Sequence, residues 1–151
     1  MKNFPEHWGD FAPSTRLNLV IGKAVTAHDY IQAQRMRTRA MQIFSRVYDE
    51  VNVILTPGTA LTAPLVPPQA LAAGWSDLST DTEMMRFVFP GNLTGLPAIS
   101  FPVGYNSNGM PVAMQAMGRH WEEHLLLRVA YNAEVRMQRK LPANYFAPDL
   151  G

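Results

Sequence analysis

The sequence predicts a mixed α/β fold, and three observations carry that expectation. Short apolar runs at 51–55, 98–103 and 112–117 are rich in Val, Ile, Phe and Met and are bounded by Pro, Gly and Asn, as buried strands are. Four longer stretches repeat apolar residues at helical intervals. No internal repeat or low-complexity linker divides the 151 residues, so they read as one unit. Three strands form a small sheet for four helices this apolar, and a strand edge left unpaired invites another segment. A larger sheet is therefore expected, its missing strands supplied by polypeptide absent here or by a partner.

In chain order, residues 1–13 carry Pro5, Gly9 and Pro13 among polar and aromatic neighbours and are expected to be an irregular lead-in. Ser14 is placed to cap a short helix through Leu17, Val20 and Ile21, loosened at Gly22. A stronger helix follows from Thr26. Thr26 and Asp29 have capping-box spacing, with Asp in place of Glu, and Tyr30, Ala33, Ala40, Phe44 and Val47 recur at helical intervals. Arg35, Arg37, Arg39 and Arg46 fall elsewhere on that helix and read as a solvated face.

Val51, Val53, Ile54 and Leu55 form a strand closed by Pro57 and Gly58, and a proline-rich connection runs through Pro64, Pro67 and Pro68. Thr80 or Asp81 is expected to cap a helix holding Met84, Met85, Phe87, Val88 and Phe89, which kinks or restarts at Pro90 before Gly95. The runs Ala98 to Val103 and Val112 to Met117 make a hairpin whose positive φ angles are expected at Asn106, Asn108 and Gly109. A last helix is expected from Trp121 to Gln138, with Leu125, Leu126, Val129, Ala133 and Met137 as its apolar stripe, and residues 140–151 as an irregular tail.

Composition narrows the function. Hydrophobic residues make up 47% of the chain and charged residues 17%, which is globular rather than disordered. Thirteen basic and twelve acidic side chains leave +1 with no basic run, so nucleic acid is not an expected partner. There is no cysteine, hence no disulfide framework, thiolate nucleophile or cysteine-bound zinc. No apolar stretch approaches the roughly 20 residues of a membrane span, and no signal-peptide pattern opens the chain. A soluble protein, cytoplasmic or membrane-peripheral, is the expectation.

The candidate chemistry is sparse. His120, Trp121, Glu122, Glu123 and His124 match H-x-x-E-H, which would set two imidazoles one helical turn apart for zinc. A third ligand is needed, and only Glu134 and Asp149 remain downstream as carboxylates, so the plainer reading is a helix start where Glu122 and Glu123 complement the macrodipole. No metal site and no cofactor is expected. A serine hydrolase needs a nucleophile on a sharp turn, a base in reach and backbone donors for the oxyanion. No glycine-serine loop or G-x-S-x-G is present, Lys23 and Lys140 have no serine partner in a suitable context, and the paired carboxylates Asp49/Glu50 and Glu122/Glu123 point apart on a helix. No catalytic residue is assigned.

The stretch Asn92, Gly95, Leu96, Pro97, Ala98, Ile99, Ser100, Pro102 and Gly104, followed by Gly109, Met110, Pro111, Val112, Gln115 and Gly118, resembles the C-terminal core of the amidase signature family. So does the strand ending at Pro57. The likeness runs from about Thr15 to the end and is greatest to plant-type fatty acid amide hydrolases, through Asp29, Tyr30, Ile31, Ala33 and Gln34, then Thr62, Ala63, Pro64, Pro67 and Pro68, then Met85, Arg86, Phe87 and Val88. Pro90 departs from a helix-compatible residue, and His120 stands where a proline is usual.

The resemblance implies the C-terminal part of an α/β/α sandwich with a mixed sheet. It implies an amide hydrolase whose Ser, cis-Ser, Lys triad lies in upstream polypeptide, with the missing N-terminal part of the domain as partner and a lipid-like amide as substrate. It further implies that Ile21 and Val25 on one helix, and Thr82, Met85 and Phe89 on another, line the acyl pocket. Thr82, Met85 and Phe89 fall at i, i+3 and i+7, one face of a continuous helix, where methionine supplies adaptable packing. Two other readings stay open: a non-catalytic homologue that binds or assembles through its incomplete sheet, homo-oligomers included, and a zinc hydrolase through His120 and His124.

Overall fold

A computed structural model of the chain describes residues 5–70, 74–75 and 77–140. Among these the fold is mixed α/β, with a three-stranded sheet, five α-helices and one 3-10 helix at Pro5–Asp10. The strands are β1 (Val53–Pro57), β2 (Ala98–Tyr105) and β3 (Pro111–Gly118), ordered β1-β3-β2 with both neighbours antiparallel to the central β3. The three expected apolar runs fall on the three strands, with β1 beginning at Val53 rather than Val51 and taking in Pro57. Residues 1–4 of the expected lead-in and 141–151 of the expected tail lie outside the described residues.

The β2–β3 hairpin forms as its sequence predicts, but by different turn chemistry. Only Gly109 in the connection takes a positive φ, at 79°. Asn106 acts through its side chain instead, its Oδ1 accepting from the backbone N–H groups of Asn108 (2.9 Å) and Met110 (3.0 Å). An Asx-type bond of this kind closes a turn without left-handed backbone. The ladder shifts between Pro102 and Gly104. Proline has no N–H to donate, and both it and the irregularity are tolerated because β2 is an edge strand.

Helix α1 is Pro13–Ala24 and α2 is Ala27–Tyr48. The expected Ser14 cap of α1 is not made: Ala12 holds the N-cap position without a side-chain bond, and Pro13 occupies the first turn, where a missing N–H costs nothing. For α2 the capping box is complete, with Thr26 Oγ1 accepting from Asp29 N at 3.2 Å and Asp29 Oδ2 accepting from Thr26 N at 2.9 Å.

The expected helix around Met84 is two helices, α3 (Leu78–Met85) and α4 (Phe89–Thr94). Asp77, rather than Thr80 or Asp81, caps α3, accepting from Ser79 N and Thr80 N. The break falls at residues 86–88, ahead of Pro90, because the proline ring clashes with the carbonyl four residues back and so sits only in the first turn of a new helix. Gly95 then ends α4 in the left-handed region, φ 77°, with its N–H bonded to Gly91 O at 2.8 Å.

The last helix, α5, is Glu123–Glu134, starting later and ending earlier than the expected 121–138. Trp121 has φ 68°, which no α-helix admits, so the chain turns there before the helix begins. Helix α5 packs on one face of the sheet, where Phe101, Ala116 and Leu126 form the core with Val53, Ile99, Met114, Val129, Ala130 and Ala133 around them. Gly118 lets Leu126 approach the strand: a Cβ there would lie 3.2 Å from Leu126 Cδ2. Because side chains alternate along β3, Gln115 and Met117 face the other side. Gln115 Nε2 donates to Phe87 O at 2.9 Å, and Gly91 of α4 packs towards the Met117 sulfur. Helices therefore cover both faces, the α/β/α layering expected. Among the described residues no helix is long and apolar enough to cross a membrane.

Candidate functional site

The five residues expected to line an acyl pocket all face solvent. Ile21 lies on α1 and Val25 ends it; Thr82 and Met85 lie on α3, and Phe89 opens α4. Ile21, Val25, Met85 and Phe89 are each between 44% and 56% exposed. On the same α3–α4 segment Met84, Phe87 and Val88 are half-buried, while Met85 and Phe89 share the exposed side with Leu78 and Leu93. Thr82 donates its hydroxyl to Leu78 O at 2.6 Å, leaving its methyl as the group it offers. The single continuous helix face expected for Thr82, Met85 and Phe89 is not formed, since the break at 86–88 separates Phe89 from the other two.

The H-x-x-E-H residues do not share a helix. His120 lies in the turn after β3 with its ring beside Gly95, Trp121 reverses the backbone, and His124 is in the first turn of α5. Among the described residues no group of three His, Cys, Asp or Glu side chains gathers as a metal site.

A feature without any sequence signal is the cluster around Arg119, which joins residues about seventy positions apart. Arg119 donates through Nη2 to the carbonyls of Tyr48 and, at 3.3 Å, Val51, and through Nη1 to Asn52 Oδ1 at 3.2 Å. Its guanidinium carbon lies 5.8 Å from the centre of the Tyr48 ring, and Glu122 Oε2 is 3.6 Å from Nη1, an ion pair too long for a hydrogen bond. Arg119 thus caps the carbonyls at the end of α2 and ties them to the turn leading into α5. Tyr48 is 4% exposed; burial raises its hydroxyl pKa, Arg119 lowers it and Glu122 raises it further. Its hydroxyl and Glu122 Oε2 are the two buried side-chain oxygens without a hydrogen-bond partner among the described residues.

Between α2, the α4–β2 connection and the β3–α5 turn lies an open cleft of about 830 Å³, walled in part by Arg37, Met41, Phe44, Tyr48, Leu96 and Arg119. Arg37 is fixed at one end by donation from Nε to Leu93 O at 2.6 Å.

The sequence profile of the family described as Amidase matches residues 7–127. The chain is 45% identical over 134 residues to a fatty acid amide hydrolase of Medicago truncatula, covering 87% of this chain and 22% of that protein. It is 32% identical over 142 residues to an amidase of Pseudomonas putida, covering 87% of this chain and 29% of that protein. A crystal structure described as an amidase superposes with a TM-score of 0.74 at 26% identity, covering 91% of this chain and 31% of that one. The chain spans about a fifth of the length of the plant relative.

Proposed function

From the premise that this chain belongs to the amidase family, we propose that it forms the C-terminal segment of a serine hydrolase cleaving amide bonds of fatty acyl amides. The seryl nucleophile and its lysine base come from polypeptide outside these 151 residues. Hydrolysis breaks the acyl C–N bond with water and yields a carboxylate and an amine; the segment's part is to hold the acyl group while that chemistry proceeds.

The observation that carries this reading is the exposure of Met85 and Phe89 beside the half-buried Met84, Phe87 and Val88, together with the exposure of Ile21 and Val25 at the end of α1. Uncovered aliphatic and aromatic side chains suit one wall of an acyl channel, completed by the polypeptide that brings the nucleophile. Methionine and phenylalanine on α3 and α4 adapt to acyl chains of different length, because Met85 has three soft torsions and a polarizable sulfur. The 45% identity to a protein described as a fatty acid amide hydrolase supports the substrate class.

The test is a chimera in which this chain replaces the matching C-terminal stretch of the Medicago truncatula hydrolase. The chimera is expected to hydrolyse an N-acylethanolamine. Met85→Asp and Phe89→Asp are expected to raise KM for the fatty acyl substrate at least tenfold, with little change for a short-chain amide. A chimera that folds and binds a serine-directed probe, yet discriminates acyl lengths identically with and without these changes, removes the acyl-wall assignment. A folded chimera without any hydrolysis favours a binding or assembly role for this segment.

A further inference from the structure

We propose that the cleft along α2 is a binding site for a medium-length amphiphilic carboxylate, separate from the acyl wall on α1, α3 and α4. At one end stands Arg37. Its Nε is committed to Leu93 O, which fixes the guanidinium plane, while its two terminal nitrogens have no protein partner among the described residues. A paired set of guanidinium N–H groups held in one orientation is the standard receptor for a carboxylate. Thr38, next along the helix, also lines this end, but its hydroxyl donates to Gln34 O at 3.1 Å and leaves the carboxylate to Arg37.

Past that end an apolar strip runs along a wall that Gln42, Ser45 and Thr94 also line. Met41 and Phe44 follow on the same side of α2, and Leu96 stands opposite on the connection into β2. The far end is closed by Tyr48 and Arg119. Arg119 is a poorer receptor for the carboxylate, because both its terminal nitrogens donate to the Tyr48 and Val51 carbonyls and Asn52, and its charge faces Glu122. Asp49 also lines that far end and repels an anion there. Tyr48 lies eleven positions along α2 from Arg37, a rise of about 16 Å, the reach of an extended medium-length acyl chain. Charge at one end, repulsion at the other and the Met41, Phe44 and Leu96 strip between them orient an amphiphile head-first on Arg37. The volume of about 830 Å³ lies in the range of sites for ligands of this size.

The physiological meaning rests on the proposed hydrolase reading, since amide cleavage releases an acyl carboxylate of this kind; the binding itself does not. The test uses the 151-residue chain and sodium decanoate, with calorimetry and carboxyl-labelled 13C NMR. Saturable one-to-one binding is expected, with decanol and decyltrimethylammonium at least tenfold weaker. Arg37→Gln is expected to weaken decanoate at least tenfold. Met41→Glu, at an exposed position that leaves the fold intact, is expected to do the same if Arg37→Gln unfolds. Leu65→Ser, remote from the cleft, should change nothing. Decanol binding as tightly as decanoate, absence of saturation, or a folded Met41→Glu variant with unchanged affinity overturns the proposal. None of these outcomes bears on whether the acyl wall serves catalysis, which the chimera reads independently.

Discussion

The contact between Leu126 and Gly118 permits a quantitative test of how α5 is held on the sheet. Leu126 is 2% exposed and packs with Phe101 and Ala116. Changing Leu126→Ala removes three carbons from this core, about 2.4 kcal/mol at about 0.8 kcal/mol per methylene. On the sheet side Gly118 and Ala116 have no long side chain to fold into the space, and Phe101 is held in the same core, so part of the cavity persists and adds about 1 kcal/mol. The expected loss is about 3–4 kcal/mol. Gly118→Ala alone forces a Cβ to 3.2 and 3.3 Å from Leu126 Cδ2 and Cγ, in a core where the leucine has little room to retreat, and should cost about 1–2 kcal/mol.

The two changes should not add. In the Leu126→Ala background the new methyl enters vacated space, so Gly118→Ala becomes neutral or stabilising and the coupling is about 1–2 kcal/mol. Urea unfolding followed by far-UV circular dichroism gives all four stabilities. Additive losses, or a single Gly118→Ala variant as stable as the parent, would refute the packing argument for α5.

Further outcomes follow from the caps and the Arg119 cluster. Asp29 is held below the ordinary carboxylate range by its hydrogen bonds with Thr26, so the contribution of this cap is present above that range and lost as pH falls through the depressed value. Protection of the amides in the first turn of α2, measured relative to the intrinsic exchange rate at each pH, should therefore fall below about pH 4, and Asp29→Asn should abolish that acid dependence. Tyr48 behaves with the opposite sign: its raised pKa, due first to burial, stabilises the fold below the ordinary tyrosine value and the contribution disappears as pH rises through the folded value. Ultraviolet titration should find one tyrosine ionising late, and Tyr48→Phe should remove it. Arg119→Met takes the donors from two carbonyls and Asn52 and should cost about 2 kcal/mol in urea unfolding; no loss would show that water serves those carbonyls equally well.

Local patterns in the sequence revealed what local physics determines. The Thr26–Asp29 box, the apolar runs of β1, β2 and β3, and the inward stripe of α5 follow from the chemistry of neighbouring residues, and the structure has them. The family resemblance was legible for a related reason: Gly95 ends α4 in a left-handed conformation and Gln115 donates to the Phe87 carbonyl, needs that admit few residue types. Boundaries were harder to read. Asp77 outcompetes Thr80 as a cap because its carboxylate reaches two N–H groups, and Pro90 moves a helix break ahead of itself. Trp121 in a left-handed conformation had no signal in residue type, since bulky side chains disfavour it. The Arg119 cluster and the α2 cleft were illegible for a different reason. They join Tyr48 and Arg37 to residues distant in sequence, and no periodicity encodes which loops come to lie beside a helix end.

Whether the reactive serine belongs to polypeptide outside these residues is decided by exposing the purified 151-residue chain to a fluorophosphonate probe and measuring its intact mass. An unmodified mass is expected at probe concentrations that label intact amidases to completion. One adduct per folded chain, removed by substitution of a single serine, would place the nucleophile within the chain and contradict the assignment.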